Sequence, residues 1–236
     1  TSGRLGVLGA AENPPTFGTD PAMIRGIMAG GKKAVFRSQE GAEDRVGDAK
    51  AAIRKVRAGK GDVVCGIAAS LRTPFVDGAL EEAKKRGART ILVTTNPRSL
   101  LREKSFAGLR KNIDVVISPD VGPEVLMGST RMKSGTAQKM VLNMLTTASM
   151  VVLGKVYENM MVDLRLNSRK LGERARRVLM ISTGVDYAKA SRKLTAAGGH
   201  VKTAIVMIKT GVGAPEARRR LRLAGGFVHR AIGMNS

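Results

Sequence analysis

Residues 62–95 read DVVCGIAASLRTPFVDGALEEAKKRGARTILVTT. Two β-branched runs, 62–68 and 89–95, flank a stretch, 74–86, whose apolar residues recur at helical spacing. Pro74 suits the first turn of such a helix, where its missing N–H costs nothing, and Gly87 stands where the helix has to stop. Strand, helix, strand in this order is the unit of a parallel sheet covered by helices, because a parallel neighbour is reached only through a crossover. Toward the C-terminus a third run, 113–118 (IDVVIS), repeats the pattern. Residues 134–153 then read as a long helix that is apolar nearly all round, which places it in the core or at a subunit interface. Toward the N-terminus, 20–29 and 42–57 read as further helices. The expected fold class is α/β, a parallel sheet flanked by helices.

After Tyr157 the texture changes. Basic helices are expected at 168–182, 186–197 and 215–232, with an apolar stretch at 201–208 between them and glycines punctuating the whole. The expected division is a larger domain over 1–166 and a small helical domain over 167–236. Thr1 opens the chain in the middle of what reads as a functional loop, so a preceding segment is expected.

Composition narrows the setting. The single cysteine, Cys65, cannot form an internal disulfide and lies in an apolar run, which fits a core residue in a reducing compartment. No apolar run reaches the roughly eighteen residues of a membrane span, and the N-terminus lacks the layout of a signal peptide, so a cytoplasmic protein without membrane attachment is expected. The 41 Lys and Arg against 19 Asp and Glu leave a net charge of +22, a surface that attracts polyanions and permits non-specific nucleic-acid binding. Aromatic residues make up only 3% of the chain and no tryptophan is present, so the stacking platforms of a single-strand reader are nearly absent. Most of the cations then read as solvated helix faces.

Three loops combine hydroxyl side chains with glycine or proline and a cation. In 122–140, GPEVLMGSTRMKSGTAQKM, Ser129, Thr130, Ser134 and Thr136 can donate hydrogen bonds, Arg131 and Lys133 add charge, and the helix start adds its dipole. Thr1 and Ser2 open a second such loop. Ser70 to Thr73 form the third, directly after the first strand. Either of these two loops alone reads as an ordinary helix cap. In a parallel sheet, however, loops at the carboxyl ends of strands converge on one crevice, so together they point to a phosphorylated ligand.

The runs 1–17 (TSGRLGVLGAAENPPTF), 40–44 (EGAED), 66–74 (GIAASLRTP), 122–139 and 159–163 (NMMVD) together closely resemble the N-acetylmuramic acid 6-phosphate etherase family. That family belongs to the sugar isomerase (SIS) domain proteins and is related to the glucokinase regulatory proteins. The resemblance continues through 202–207 (KTAIVM) and 224–227 (AGGF). It implies a Rossmann-like three-layer sandwich with a small C-terminal helical region, and a lyase that removes D-lactate from the ether of N-acetylmuramic acid 6-phosphate. In that chemistry the open-chain aldehyde acidifies the C2 proton, a carboxylate removes it, and a second carboxyl group protonates the departing ether oxygen before water adds back. By resemblance Glu12 takes the place of the acid and Glu43 that of the base, with no metal and no organic cofactor. Glu12 lies in an otherwise uncharged stretch, 5–17, where a partly buried carboxyl can stay protonated. The phosphate then falls to Ser2, Ser70, Thr73 and Ser129, with Thr1 and Thr130, while Arg131 and Lys133 serve the phosphate or the lactyl carboxylate. The family's homodimer is implied as well.

Two departures from the family pattern stand out: Leu71 where a glycine is usual, which is expected to crowd the phosphate loop, and Gly9 where an acidic residue is usual. They keep a second reading open, a non-catalytic sugar-phosphate regulator. The charge keeps a third open, a polyanion-binding protein on the same scaffold.

Overall fold

The computed structural model of the chain describes residues 1–164, 166 and 168–234, so the domain boundary expected at residue 167 lies outside the described residues. The three expected strands form one parallel sheet. They are β1 (Val63–Ile67), β2 (Arg89–Val93) and β3 (Val115–Ile117), in the order β1-β2-β3, with Cys65 opposite Ile91 and Ile91 opposite Val115. Around them run α1 (Ser2–Phe17), α2 (Gly31–Phe36), α3 (Val46–Lys55), α4 (Pro74–Lys85), α5 (Ala107–Arg110) and α6 (Lys133–Val152). Then come a two-stranded antiparallel hairpin, β4 (Val156–Tyr157) and β5 (Met160–Met161), and five helices, α7 (Arg169–Thr183), α8 (Tyr187–Ala196), α9 (Val201–Thr210), α10 (Ala214–Leu223) and α11 (Val228–Ile232). The chain divides into two compact units, one of Thr1–Ala11 with Arg25–Met144 and one of Glu12–Ile24 with Leu145–Ser236.

In the first unit Leu71, Leu80, Leu92, Leu101 and Leu109 form one apolar cluster, and Ile53, Ala58, Ala83 and Ala88 form another where α3 meets α4. The buried Glu82 of α4 is held by a two-pronged ion pair from Arg54 of α3, at 2.9 and 3.1 Å, which supplies the charge partner a buried carboxylate needs. Burial pushes the Cys65 thiol up to about 12, so it stays protonated at neutral pH. Alkylation of the native protein at neutral pH is expected to be at least about 10²-fold slower than in urea, measured by mass shift; equal rates would show that the thiol is open and ionised.

Before residue 60, two expected helices differ. Residues 20–29 are turn and extended chain: the Asp20 carboxylate accepts the Ala22 N–H at 2.7 Å, and Gly26 comes so close to α1 that an added β-carbon would lie 2.6 Å from the Val7 Cα. Residues 42–57 split at Arg45 into a 3₁₀ turn, Ala42–Asp44, and α3. The long helix α6 forms as expected, but it is not covered all round. Ser134, Gln138 and Val141 share a buried stripe and Met150 is buried near the far end, whereas Met140, Met144 and Val151 share an exposed apolar stripe about 100° around the helix.

In the second unit Leu179, Val201, Ile205, Val206 and Val228 belong to a single core. Ser168 caps α7 by accepting the Leu171 N–H, and Asp186 caps α8 by accepting the Lys189 N–H at 2.7 Å. The apolar stretch 201–208 is helical. The helix expected over 215–232 is instead α10 and α11, separated by Gly225 and Gly226 at φ 63° and 84°. No helix among the described residues is long and apolar enough to cross a membrane.

Candidate functional site

In the first unit, the loop from β1 to α4 is fixed to the end of β2. The Ala69 carbonyl accepts hydrogen bonds from the Thr94 and Thr95 hydroxyls, each at 3.1 Å. Within the loop Ser70 Oγ accepts the Arg72 N–H at 3.3 Å and keeps its own proton to donate. Thr73 stands at the N-cap of α4 yet makes no side-chain capping bond. Thr73 is therefore not used as a cap, and Ser70, which accepts an N–H as a capping hydroxyl does, still has its own proton to give. Leu71, expected to crowd this loop, does not: its side chain is 4% exposed in the cluster with Leu80 and Leu92, and its φ is not positive. It anchors the loop from below.

The start of α6 is arranged differently from the expectation. The Glu124 carboxylate accepts the backbone N–H groups of Lys133 at 3.1 Å and Ser134 at 2.9 Å. The hydrogen bond from the Ser134 amide, above all, holds Glu124 below the usual carboxylate range. These two helix donors, read as an oxyanion cradle, are thus occupied by a carboxylate of the chain itself. Ser134 is buried and within 3.0 Å of the Thr95 hydroxyl, so it links α6 to the end of β2. Lys133 Nζ donates to the Pro123 carbonyl at 2.9 Å. Ser129 is half-buried, while Thr130 and Arg131 are exposed.

The first residues of the chain meet α6. Ser2 Oγ donates to Gln138 Oε1 at 2.7 Å, which spends the proton expected to reach a phosphate and leaves Ser2 as an acceptor. Gln138 is fully buried, and its Nε2 has no partner among the described residues. Thr1 lies beside Gly135, where an added β-carbon would come within 3.1 Å of Thr1 Cγ2 and 3.3 Å of the Thr130 carbonyl oxygen. A continuous set of contacts therefore joins Thr1, Ser2 and Thr130, through α6 and Thr95, to the loop that carries Ser70 and Thr73.

Glu43 occupies the 3₁₀ turn Ala42–Asp44, which opens at Gly41 with φ 68° and packs against α4; its side chain faces solvent. Glu12 belongs to the second unit and is exposed, so the partly buried setting expected for it is not found. The buried side of that turn of α1 is formed by Asn13 and Phe17, one helical turn apart, and Glu12 lies off it. Asp77, one turn beyond Thr73 on α4, was not singled out in the sequence. Burial pushes it up to about 6. An acid whose folded value is raised holds its proton more tightly when folded, so its contribution is present below about pH 4 and lost as pH rises toward 6. Asp77→Asn is expected to remove that decline and to stabilise the protein at pH 7 by about 1–2 kcal/mol in urea titrations; an unchanged pH profile would place the titration elsewhere. Among the described residues, no group of three or more His, Cys, Asp or Glu side chains is placed to hold a metal ion.

The family model described as glucokinase regulatory protein N-terminal SIS domain matches residues 1–84. An N-acetylmuramic acid 6-phosphate etherase of Salinibacter ruber is 60% identical over 206 residues, 87% of this chain and 64% of that protein. That of Symbiobacterium thermophilum is 54% identical over 205 residues, 87% of this chain and 65% of that protein. The etherase of Geobacillus thermodenitrificans is 52% identical over 208 residues, and here the chain covers 67% of the relative. The chain belongs to the N-acetylmuramic acid 6-phosphate etherase family. It spans just under two thirds of the length of the first two of these etherases.

Reading the etherase motifs from sequence missed Glu124 and Gln138. Gln138 was within reach, since it lies one helical turn after Ser134 and three residues before Val141, a polar residue on the face that α6 buries. Glu124 carries no such signal, because its bonds cross nine residues of irregular chain. In the second unit, the etherase motifs at 159–163 and 202–207 contribute Asp163 and Lys202, which pair at 2.7 Å.

Proposed function

We propose that this chain carries the sugar-phosphate and reaction machinery of an enzyme that cleaves the lactyl ether of N-acetylmuramic acid 6-phosphate, giving N-acetylglucosamine 6-phosphate and D-lactate. The observation that carries the reading is the state of Ser70 and Thr73. Both hydroxyls sit at the end of a parallel strand and the start of α4, with their protons uncommitted, where a phosphate gains both the hydroxyl donors and the positive end of the helix. Ser129 and Thr130 add donors, and Lys133 and Arg131 supply the charge that balances a dianion.

In this reading Glu43 removes the C2 proton of the open-chain sugar. Glu12 protonates the C3 ether oxygen as the C3–O bond breaks, and water then adds to the unsaturated aldehyde. Every proton is accounted for by the two carboxyl groups and water. The exposed apolar stripe of α6, with Met140, Met144 and Val151, supports association into a homodimer. The regulator reading rested on Leu71 and Gly9, and with Leu71 packed into the core its main motive falls away.

Incubation with N-acetylmuramic acid 6-phosphate in deuterated water, followed by mass spectrometry, tests the proposal. D-lactate release with one deuterium at C2 is expected. A folded protein that releases no lactate and exchanges no C2 proton would overturn it.

A further inference from the structure

The second unit contains a cavity of about 580 Å³, within the range of small-molecule sites, lined by Asp163, His200, Lys202, Arg218, Arg222 and the Gly225–Gly226 turn. Its charges do not balance. Asp163 is the one carboxylate among the lining residues, and it is shared between Lys202 at 2.7 Å, Lys155 at 3.2 Å and His200 at 3.7 Å. Lys202 is 5% exposed, so its ammonium depends on this divided partner for compensation. Arg218 gives one N–H to the Ala197 carbonyl at 3.1 Å and has others to spare. The Arg222 side chain makes no hydrogen bond or ion pair among the described residues, while its backbone carbonyl accepts the Gly225 N–H at 3.1 Å. Three cations of the lining thus face one carboxylate that a fourth cation also uses. A compact dianion restores neutrality, and two guanidinium groups beside an ammonium suit tetrahedral phosphate oxygens better than they suit a single carboxylate.

We propose that this cavity is a phosphate-binding site, taking inorganic phosphate or the phosphate group of a small phosphate ester. Lys202 supplies the buried charge and Arg222 the open fork. The turn runs beside the ammonium: a β-carbon built on Gly226 would stand 3.7 Å from Lys202 Nζ. The assignment stands on the second unit alone and does not depend on the etherase reading.

The test is an amide chemical-shift titration of the full chain with inorganic phosphate and with N-acetylglucosamine 6-phosphate at constant ionic strength, against chloride. Saturable shifts at Gly225, Gly226 and Thr203 are expected with both phosphates and not with chloride. Arg222→Ala, a change at an exposed position, is expected to weaken them about tenfold without altering the urea midpoint, and Lys202→Met to abolish them. Tighter binding of the sugar phosphate than of inorganic phosphate would identify the carrier as part of the ligand. Equal binding would leave the phosphate group as the whole of it, and either result supports the site. The proposal is overturned if these amides do not respond, if chloride moves them equally, or if Arg222→Ala leaves the response unchanged.

Discussion

Glu43→Gln is expected to abolish both readouts of the reaction, with C2 deuteration and D-lactate release falling by roughly 10²–10⁴-fold. The amide keeps the size and hydrogen-bonding reach of the carboxylate and loses only its basicity. Because the Glu43 side chain lies exposed on a turn whose buried anchor is Ala42, the substitution is not expected to disturb folding. Glu12→Gln is expected to behave differently. In the proposed mechanism the C2 proton is lost before the C3–O bond breaks, so exchange at C2 is expected to continue while lactate release collapses, since an amide cannot protonate a departing alkoxide. This asymmetry is what two separate carboxylates predict and one shared base does not. Should Glu43→Gln retain C2 exchange within tenfold of the parent, the base lies elsewhere, and the neighbouring Asp44 and Glu40 are the first alternatives to replace.

Much of this arrangement was legible in the sequence, for reasons that also explain what was not. β1, β2 and α4 announce themselves because β-branched runs and a 3.6-residue apolar period are strong, local signals, bounded by Pro74 and Gly87. The β4–β5 hairpin, with two residues in each strand, is too short to leave a period. In α6 the composition is apolar on both faces, so sequence cannot say that one of them stays uncovered; that depends on what packs there. The hydroxyl loops stood out only together, because the loop after β1 or the one at Thr1 alone reads as an ordinary helix cap. What each hydroxyl does with its proton was not legible. Ser2 gives its proton to Gln138, 136 residues away, and the start of α6 is closed by Glu124 from across a loop. Such pairings are made by the fold, and no local spacing encodes them.

Gly18→Ala is expected to be the most damaging single substitution for stability, costing about 3–5 kcal/mol in urea unfolding. Two independent effects add. Gly18 ends α1 with φ 62°, where its N–H closes the last turn on the Pro14 carbonyl, and a side chain there costs about 1–2 kcal/mol of backbone strain. An added β-carbon would also overlap the Asp163 carbonyl oxygen, a backbone atom that cannot rotate away, so one of the two segments has to move. Gly9→Ala provides the comparison within the same helix: its φ is not positive and nothing would lie within 4 Å of the new carbon, so it is expected to stabilise by up to about 1 kcal/mol. A loss below about 1 kcal/mol for Gly18→Ala would mean that the end of α1 yields without strain. The two glycine variants also bear on the cavity of the second unit, since the backbone that Gly18→Ala displaces carries the carboxylate that Lys202, Lys155 and His200 share. Gly18→Ala is therefore expected to weaken the phosphate response at Gly225 and Gly226 together with stability, Arg222→Ala to weaken the response alone, and Gly9→Ala to leave it intact. That pattern separates a ligand held by the cations of the cavity from one lost merely because the unit has loosened.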